Sequence, residues 1–306
     1  MIEGRYTSLS RVEIESRGAA VYELLKECTL CPRRCRIDRN TGQVGKCSVG
    51  CEAMVASYGP HFGEERPLVG VNGSGTIFFG GCNLSCIFCQ NYDISRLNYG
   101  DVIPTHRLAR MMINLQDSGC HNINLVTPTH QIPQILDALG KALELGLRLP
   151  IVYNCGGYEP VEVLRLLDGI VDIYMPDMKY GNNRVGMELS GVPDYWDRNR
   201  EAVLEMHRQV GDLKIVSIDE GTISYELAIN GLLVRHLVLP KNIADIEEIV
   251  KFLANSVSRD TYINIMGQYR PAYQANGHAI LGRAVTSEEH QEAVRIAKEA
   301  GLWRFA

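Results

Sequence analysis

Eight of the ten cysteines in this 306-residue chain lie between residues 28 and 89. A secreted disulfide scaffold of that density is short and follows a signal peptide. Here the chain opens with mixed charge, Met1-Ile2-Glu3-Gly4-Arg5, and no apolar run approaches the roughly 20 residues of a membrane span. The expectation is a cytoplasmic protein, not bound to membrane, in which clustered thiols hold metal. Ile2-Glu3-Gly4-Arg5 also reads as the remnant of a protease site, which would make it irrelevant to the fold. The length suits one large domain or two small ones, and 45% hydrophobic residues suffice for a sizeable core. With 31 basic against 36 acidic residues, the chain lacks the basic excess that nucleic-acid binding requires.

From about residue 75 onward, short β-branched runs alternate with amphipathic stretches, the pattern of repeated βα units around a parallel sheet. The pattern predicts strands at 75–80, 122–126, 150–154, 171–175, 232–239 and 262–266. It predicts helices at 105–118, 131–145, 160–167, 195–210, 243–255 and 287–300, the last capped by Thr286 or Ser287 and stopped by Gly301. Six units are two short of a closed eight-fold barrel and too many for one dinucleotide-binding half. The expected fold is therefore α/β, a partial (β/α)6 TIM-like barrel over residues 75–306, with its chemistry at the carboxyl ends of the strands. Residues 1–74 lack this rhythm and read as one helix, about 11–28, followed by a Cys-rich metal-binding segment beside the barrel.

Cys82, Cys86 and Cys89 form a CxxxCxxC motif directly after the first strand of the alternation. Three thiolates on one tight loop can ligate three irons of a cubane 4Fe-4S cluster and leave the fourth iron open for a ligand. Gly80 and Gly81 let the backbone turn closely ahead of them. A zinc loop lacking its fourth ligand, or buried structural thiols, is the plainer alternative. Cys28, Cys31, Cys35 and Cys47 form a second, complete four-thiol set that suits zinc or another iron–sulfur cluster, and spacing does not separate the two. Arg33, Arg34, Arg36, Arg39 and Lys46 crowd this stretch and favour thiolates whatever the metal. Cys51 is a substitute ligand, while Cys120 and Cys155 read as buried strand-end thiols, Cys155 close to the expected cavity.

The motif, with the aromatic Phe88 before its third cysteine, resembles the signature of the radical S-adenosylmethionine superfamily. Within it the chain is similar to the pyruvate-formate-lyase activating-enzyme-like group, through Cys28-Thr29-Leu30-Cys31-Pro32-Arg33-Arg34-Cys35, Asp172-Ile173-Tyr174-Met175-Pro176-Asp177-Met178-Lys179-Tyr180, Ser190-Gly191-Val192-Pro193-Asp194-Tyr195 and Gln268-Tyr269-Arg270-Pro271. The resemblance implies reductive cleavage of S-adenosylmethionine to a 5′-deoxyadenosyl radical that abstracts hydrogen from substrate, with electrons from a flavodoxin- or ferredoxin-type donor. A protein or peptide substrate is the first expectation, a small metabolite the second, and a non-catalytic metal-binding or redox-sensing protein the third.

The resemblance also implies cofactor contacts. Where the superfamily often carries Gly-Gly-Glu, this chain has Thr127-Pro128-Thr129-His130, so Thr127 and Thr129 are the candidates there. Asn154 follows the third strand of the alternation, and Asp177 and Lys179 follow the fourth, on one side of an extended segment. Arg235 and His236 are adjacent, so only one faces the barrel interior; Arg235, charged at every pH, is the stronger candidate. Gln268 stands after the sixth strand. Many activating enzymes insert further clusters after the CxxxCxxC loop, whereas this chain reaches its next helix without another cysteine.

Overall fold

The strand–helix alternation expected from residue 75 onward is present as a run of six parallel strands. The computed structural model describes residues 2–219, 221 and 223–306. In chain order the strands are β1 (Ala53–His61), β2 (Ser74–Phe79), β3 (Asp101–Ile103), β4 (Ile123–Val126), β5 (Ile151–Cys155), β6 (Ile173–Pro176), β7 (Lys214–Asp219), β8 (Ser224–Leu237), β9 (Tyr262–Met266) and β10 (Arg304–Phe305). The helices are α1 (Arg11–Glu23), α2 (Arg66–Val69), α3 (Tyr92–Ser95), α4 (Thr105–Asp117), α5 (Ile132–Glu144), α6 (Val161–Leu164), α7 (Asn183–Ser190), α8 (Tyr195–Val210), α9 (Ile246–Phe252) and α10 (Ser287–Glu299).

The strands run side by side as β10-β9-β8-β6-β5-β4-β2-β1-β3, with β7 paired to β8. β2, β4, β5, β6, β8 and β9 form the parallel core, while β1, β3 and β7 add antiparallel strands. The path does not close on itself, so the partial barrel expected from six βα units is the observed architecture. The apolar faces of α4 (Leu108, Met112, Leu115) and α5 (Ile132, Leu136, Leu139) pack in the main core between helices and sheet. Each such side chain contributes roughly 1.5–3 kcal/mol on full burial. Inside the barrel, Val152, Ile173, Met175 and Leu233 pack with Leu68 of α2 and Leu213. That plug leaves the carboxyl ends of the strands as the place where a cavity can form.

Local signals fix several ends. Ser10 and Glu13 form a capping box on α1, as do Thr286 and Glu289 on α10, the latter as expected. The helix expected over 11–28 stops at Glu23, because the chain turns so that the Cys28 amide donates to the Ile37 carbonyl. The helix expected over 243–255 is shorter, since Asn242 and Asp245 adopt positive φ ahead of it and a π turn, Leu253–Val257, follows it. β1, β3, β7, β10 and α7 were not anticipated. β1 ends in Gly59-Pro60-His61, which reads as a turn, yet it pairs with β2 from Val55–Phe79 to His61–Ser74. Nor are residues 4–6 a dispensable remnant. The Gly4 amide donates to the Arg148 carbonyl, the Arg5 amide donates to Asp172 at 2.7 Å, and Tyr6 is fully buried with its hydroxyl on the Leu149 carbonyl.

Candidate active site

β2 ends at Phe79, and the chain turns at once through Gly80 and Gly81. Gly81 has φ +75, and a Cβ there would lie 2.1 Å from the Cys47 carbonyl oxygen, so only glycine fits. The turn delivers Cys82, Cys86 and Cys89 to a cavity of about 230 Å³ at the carboxyl ends of the strands. Each sulfur has a close polar neighbour. The Leu84 amide donates to Cys82 Sγ at 3.3 Å, Ser190 Oγ lies 2.9 Å from Cys86 Sγ, and Ser95 Oγ lies 3.2 Å from Cys89 Sγ. Burial pushes the Cys82 thiol up to about 12 and raises that of Cys86 as well. Metal binding at this loop therefore has to release protons.

The rest of the lining includes an ionic cluster. Asp177, paired with Arg235 across the β6–β8 edge, accepts from Arg235 Nε at 3.1 Å and from Lys179 Nζ at 2.6 Å. Burial alone would raise the Asp177 carboxyl, but the two cations outweigh it and hold it below the usual aspartate value. Arg235 Nη2 donates to Asn154 Oδ1 at 2.6 Å, and its Nη1 lies 3.6 Å from Glu64 Oε2. Gly157, at φ +73, lets β5 and β6 converge beneath these ionic groups, where a Cβ would meet the Asp177 carbonyl at 2.2 Å. Tyr195 and Asn199 of α8 secure the convergence, Asn199 Nδ2 donating to the Gly157 and Asp177 carbonyls.

Cys82, Cys86, Cys89, Phe88, Thr127, Asn154, Asp177, Lys179 and Arg235 all line this one cavity. Phe88 stands edge-on to Tyr180 and Tyr269. Thr127 has φ +60, a costly conformation for a β-branched residue and of the kind that clusters at functional sites. Thr129 and Gln268 do not line the cavity. A 3-10 turn, Thr129–Gln131, rotates Thr129 into the core, where its hydroxyl donates to Glu159 at 2.7 Å. Beyond β9 neighbouring residues face opposite ways, so Tyr269 is buried against Phe88 and Gln268 is exposed. His236 points away from Arg235's side, its Nδ1 2.7 Å from the Met178 carbonyl, and burial lowers it to about 4. Cys155 lies at the lining too, engaged with Glu159.

No motif or spacing singles out Glu64, Ser95 or Glu159, and Tyr180 stands only at the end of the Asp172–Tyr180 segment that carries the resemblance. Ser190 lay in a segment quoted for its resemblance, with Asn182 as N-cap and Gly191 as left-handed C-cap of α7 as the signals that could have placed it on a helix end.

Next to the three-cysteine loop, Cys28, Cys31 and Cys47 are buried and Cys35 is half-buried. Arg34 and Arg36, at φ 44 and 54, turn the chain tightly around them. Burial, with the nearby Cys47, Cys28 and Cys35, pushes the Cys31 thiol up to about 12. Arg33 ties this segment to the loop, donating to the carbonyls of Asn83, Ser190 and Gly191. A larger groove of about 700 Å³ runs alongside, lined by Arg33, Cys35, Lys46 and Val192, but none of Cys82, Cys86, Cys89 or Asp177 faces it. Among the described residues no group of three or more His, Cys, Asp or Glu side chains stands close enough together to hold a single metal ion. Nor is any described helix long and apolar enough to cross a membrane.

The uncharacterized protein MJ0674 of Methanocaldococcus jannaschii is 33% identical over 289 residues, which span 91% of this chain and 76% of that protein. Among solved structures, Streptococcus suis SuiB bound to precursor peptide SuiA superposes with a TM-score of 0.49 at 14% identity over 74% of this chain. This chain covers 46% of SuiB, about half its length. TYW1 with a lysine-pyruvate adduct bound gives 0.44 at 9% identity over 73% of each chain. Likenesses at that level carry nothing about substrate. The model of the Radical SAM superfamily matches residues 76–253, a span that contains the three-cysteine loop, the Asp177–Lys179 pair and Arg235. The chain belongs to the radical SAM superfamily.

Proposed function

We propose that this chain cleaves S-adenosylmethionine reductively at a 4Fe-4S cluster on Cys82, Cys86 and Cys89 and abstracts hydrogen from a protein or peptide, in the manner of a glycyl-radical activating enzyme. The observation that carries the reading is the meeting of three thiols and an Asp177–Lys179–Arg235 network in the lining of one cavity. The donor set fits the cluster: three cysteines come from one loop, and the fourth cysteine on the lining, Cys155, is engaged with Glu159. When bound, the cluster supplies the electron that splits the sulfonium into methionine and a 5′-deoxyadenosyl radical.

The protein's own part is to bind, orient and exclude water. Lys179 and Arg235 provide positive charge for the cofactor's carboxylate, and Asp177 provides an acceptor for its ribose. Asn154 fixes the Arg235 guanidinium plane, and Thr127 offers backbone and hydroxyl groups at the rim. Phe78, Leu84 and Phe88 form the apolar part of the wall that keeps solvent from a radical. The thiols and the ionic groups share this one cavity, so the cofactor would take it, and substrate would offer its hydrogen at the mouth, which an extended protein segment does readily. Cys28, Cys31, Cys35 and Cys47 would hold a second metal, zinc or iron–sulfur, and the Cys47 carbonyl lies against Gly81 at the start of the three-cysteine loop. A flavodoxin- or ferredoxin-type protein delivers the electron.

Anaerobically reconstituted protein, reduced with dithionite and given S-adenosylmethionine, should release 5′-deoxyadenosine. The Cys82→Ala/Cys86→Ala/Cys89→Ala variant should release none, and equal release from both would refute the assignment. Metal analysis of that variant isolates the N-terminal set: retained zinc or iron supports the second site. The substrate class is tested with proteins and precursor peptides encoded beside this chain's gene. A backbone radical seen by electron paramagnetic resonance, or a mass change in the peptide, supports the reading. Turnover of a small metabolite with neither would replace it.

A further inference from the structure

The carboxyl end of α7 lies against the cluster loop in a way the cofactor cavity does not require. The Ser85 amide donates to the Ser190 carbonyl at 3.0 Å and the Ile87 amide to the Leu189 carbonyl at 2.9 Å, while Gly191 ends the helix at φ 63. Those backbone bonds already tether helix to loop. Beyond them, Ser190 Oγ sits 2.9 Å from Cys86 Sγ, and Tyr180 OH sits 2.6 Å from Ser190 Oγ. Ser190 and Tyr180 are both fully buried, so water is not an alternative partner.

Chemistry fixes the direction of this chain of hydroxyls. A cysteine that ligates iron does so as a thiolate, with no proton to give. Ser190 must therefore donate to Cys86, and its remaining lone pair accepts from Tyr180. We propose that Tyr180 and Ser190 form a two-step hydrogen-bond relay onto the Cys86 thiolate that raises the reduction potential of the cluster. This rests on the cluster assignment made above.

The reasoning is electrostatic. On taking one electron the cluster gains a unit of negative charge, part of it on the ligating sulfurs, and a dipole aimed at one of them favours the reduced form. Burial strengthens that preference, and a second hydroxyl behind the first polarises it further. Ser190 and Tyr180 are thus positioning residues for the electron and do not touch the cofactor's reacting atoms. The relay also assigns a task to the Ser190-Gly191 pair, which cofactor binding left unexplained.

The test is a redox titration of reconstituted protein, following the signal of the reduced cluster by electron paramagnetic resonance, with iron and sulfide measured on each sample. Ser190→Ala should lower the equilibrium constant for reduction about three- to tenfold, tenfold being about 59 mV for a one-electron couple. Tyr180→Phe should shift it the same way by less, and Ser190→Thr, which keeps the hydroxyl, should stay within about twofold of wild type. A fully loaded Ser190→Ala protein with an unchanged or raised potential overturns the relay. If Ser190→Ala fails to keep its cluster, Tyr180→Phe decides, and a wild-type potential there overturns the relay. Wild-type protein that assembles no cluster overturns the site assignment and the relay together, whereas a loaded cluster indifferent to both hydroxyls overturns the relay alone.

Discussion

Replacing Asp177 by Asn keeps the side-chain shape and removes the carboxylate shared by both cations of the cavity. Asp177, Lys179 and Arg235 expose only 15%, 19% and 18% of their side chains, and the two contacts measure 2.6 and 3.1 Å. Removing one member of such a buried pair costs about 3–5 kcal/mol, because the partner stays behind unpaired. Glu64, 3.6 Å from Arg235, offsets part of this and puts the loss near the lower end, about 3 kcal/mol. In a chain of this length 1 kcal/mol moves the melting midpoint by about 2 °C, so metal-free Asp177→Asn should melt about 4–6 °C below wild type. The double variant Asp177→Asn/Lys179→Met removes the unpaired ammonium and leaves Arg235 with Glu64 and Glu65, and should recover most of that loss. In cluster-loaded protein the single variant should weaken S-adenosylmethionine about 10- to 100-fold, through loss of a charge-assisted contact and of the restraint on Lys179 and Arg235. Calorimetry at pH 7 and an anaerobic equilibrium titration measure the two effects. A midpoint within 1 °C of wild type, or a double variant less stable than the single, would refute the electrostatic account.

Glu159 gives a pH signature. Burial raises it to about 7 although Thr129 and Tyr153 both donate to it, and Asp172 is likewise raised to about 7 by burial. Between the unfolded value near 4.5 and about 7, the folded chain keeps a proton that the unfolded chain has released. Stability therefore falls as pH rises through this window, by about 3 kcal/mol for Glu159, and is level above it. Glu159→Gln should remove its share of that slope in urea unfolding between pH 4.5 and 7; an unaltered slope would show that Glu159 titrates normally. Gly81→Ala should cost more than about 2 kcal/mol and at least half the iron per chain, because its Cβ would strike the Cys47 carbonyl. Gly146→Ala is the control: φ is +94 but nothing lies within 4 Å, so it should cost about 1 kcal/mol and no iron.

The three-cysteine loop was legible in the sequence because Cys82, Cys86 and Cys89 sit within eight consecutive residues and their spacing is a local property. The same holds for the six parallel strands, whose β-branched runs are confined to a few residues each, and for the N-cap of α10. Asp177 and Lys179 were legible because alternation along an extended segment is local too. Their connection to Arg235 was not, since it depends on β6 and β8 pairing so that Asp177 meets a residue 58 positions away. Glu64 reaches the same guanidinium from the β1–β2 connection, and β1 itself was hidden because its Gly-Pro end reads as a turn. Thr129 and Gln268 followed the strand-end rule in sequence and left the cavity in space, one rotated by a 3-10 turn and the other displaced by Tyr269. Ser190 and Tyr180 meet Cys86 because the end of α7 docks on the loop, a contact that spans 104 residues from Cys86 to Ser190. Spacing and periodicity determine which residues can share a loop or a face of one element. Which of them share a cavity is decided by strand register and helix docking, and those are set by packing over the whole chain.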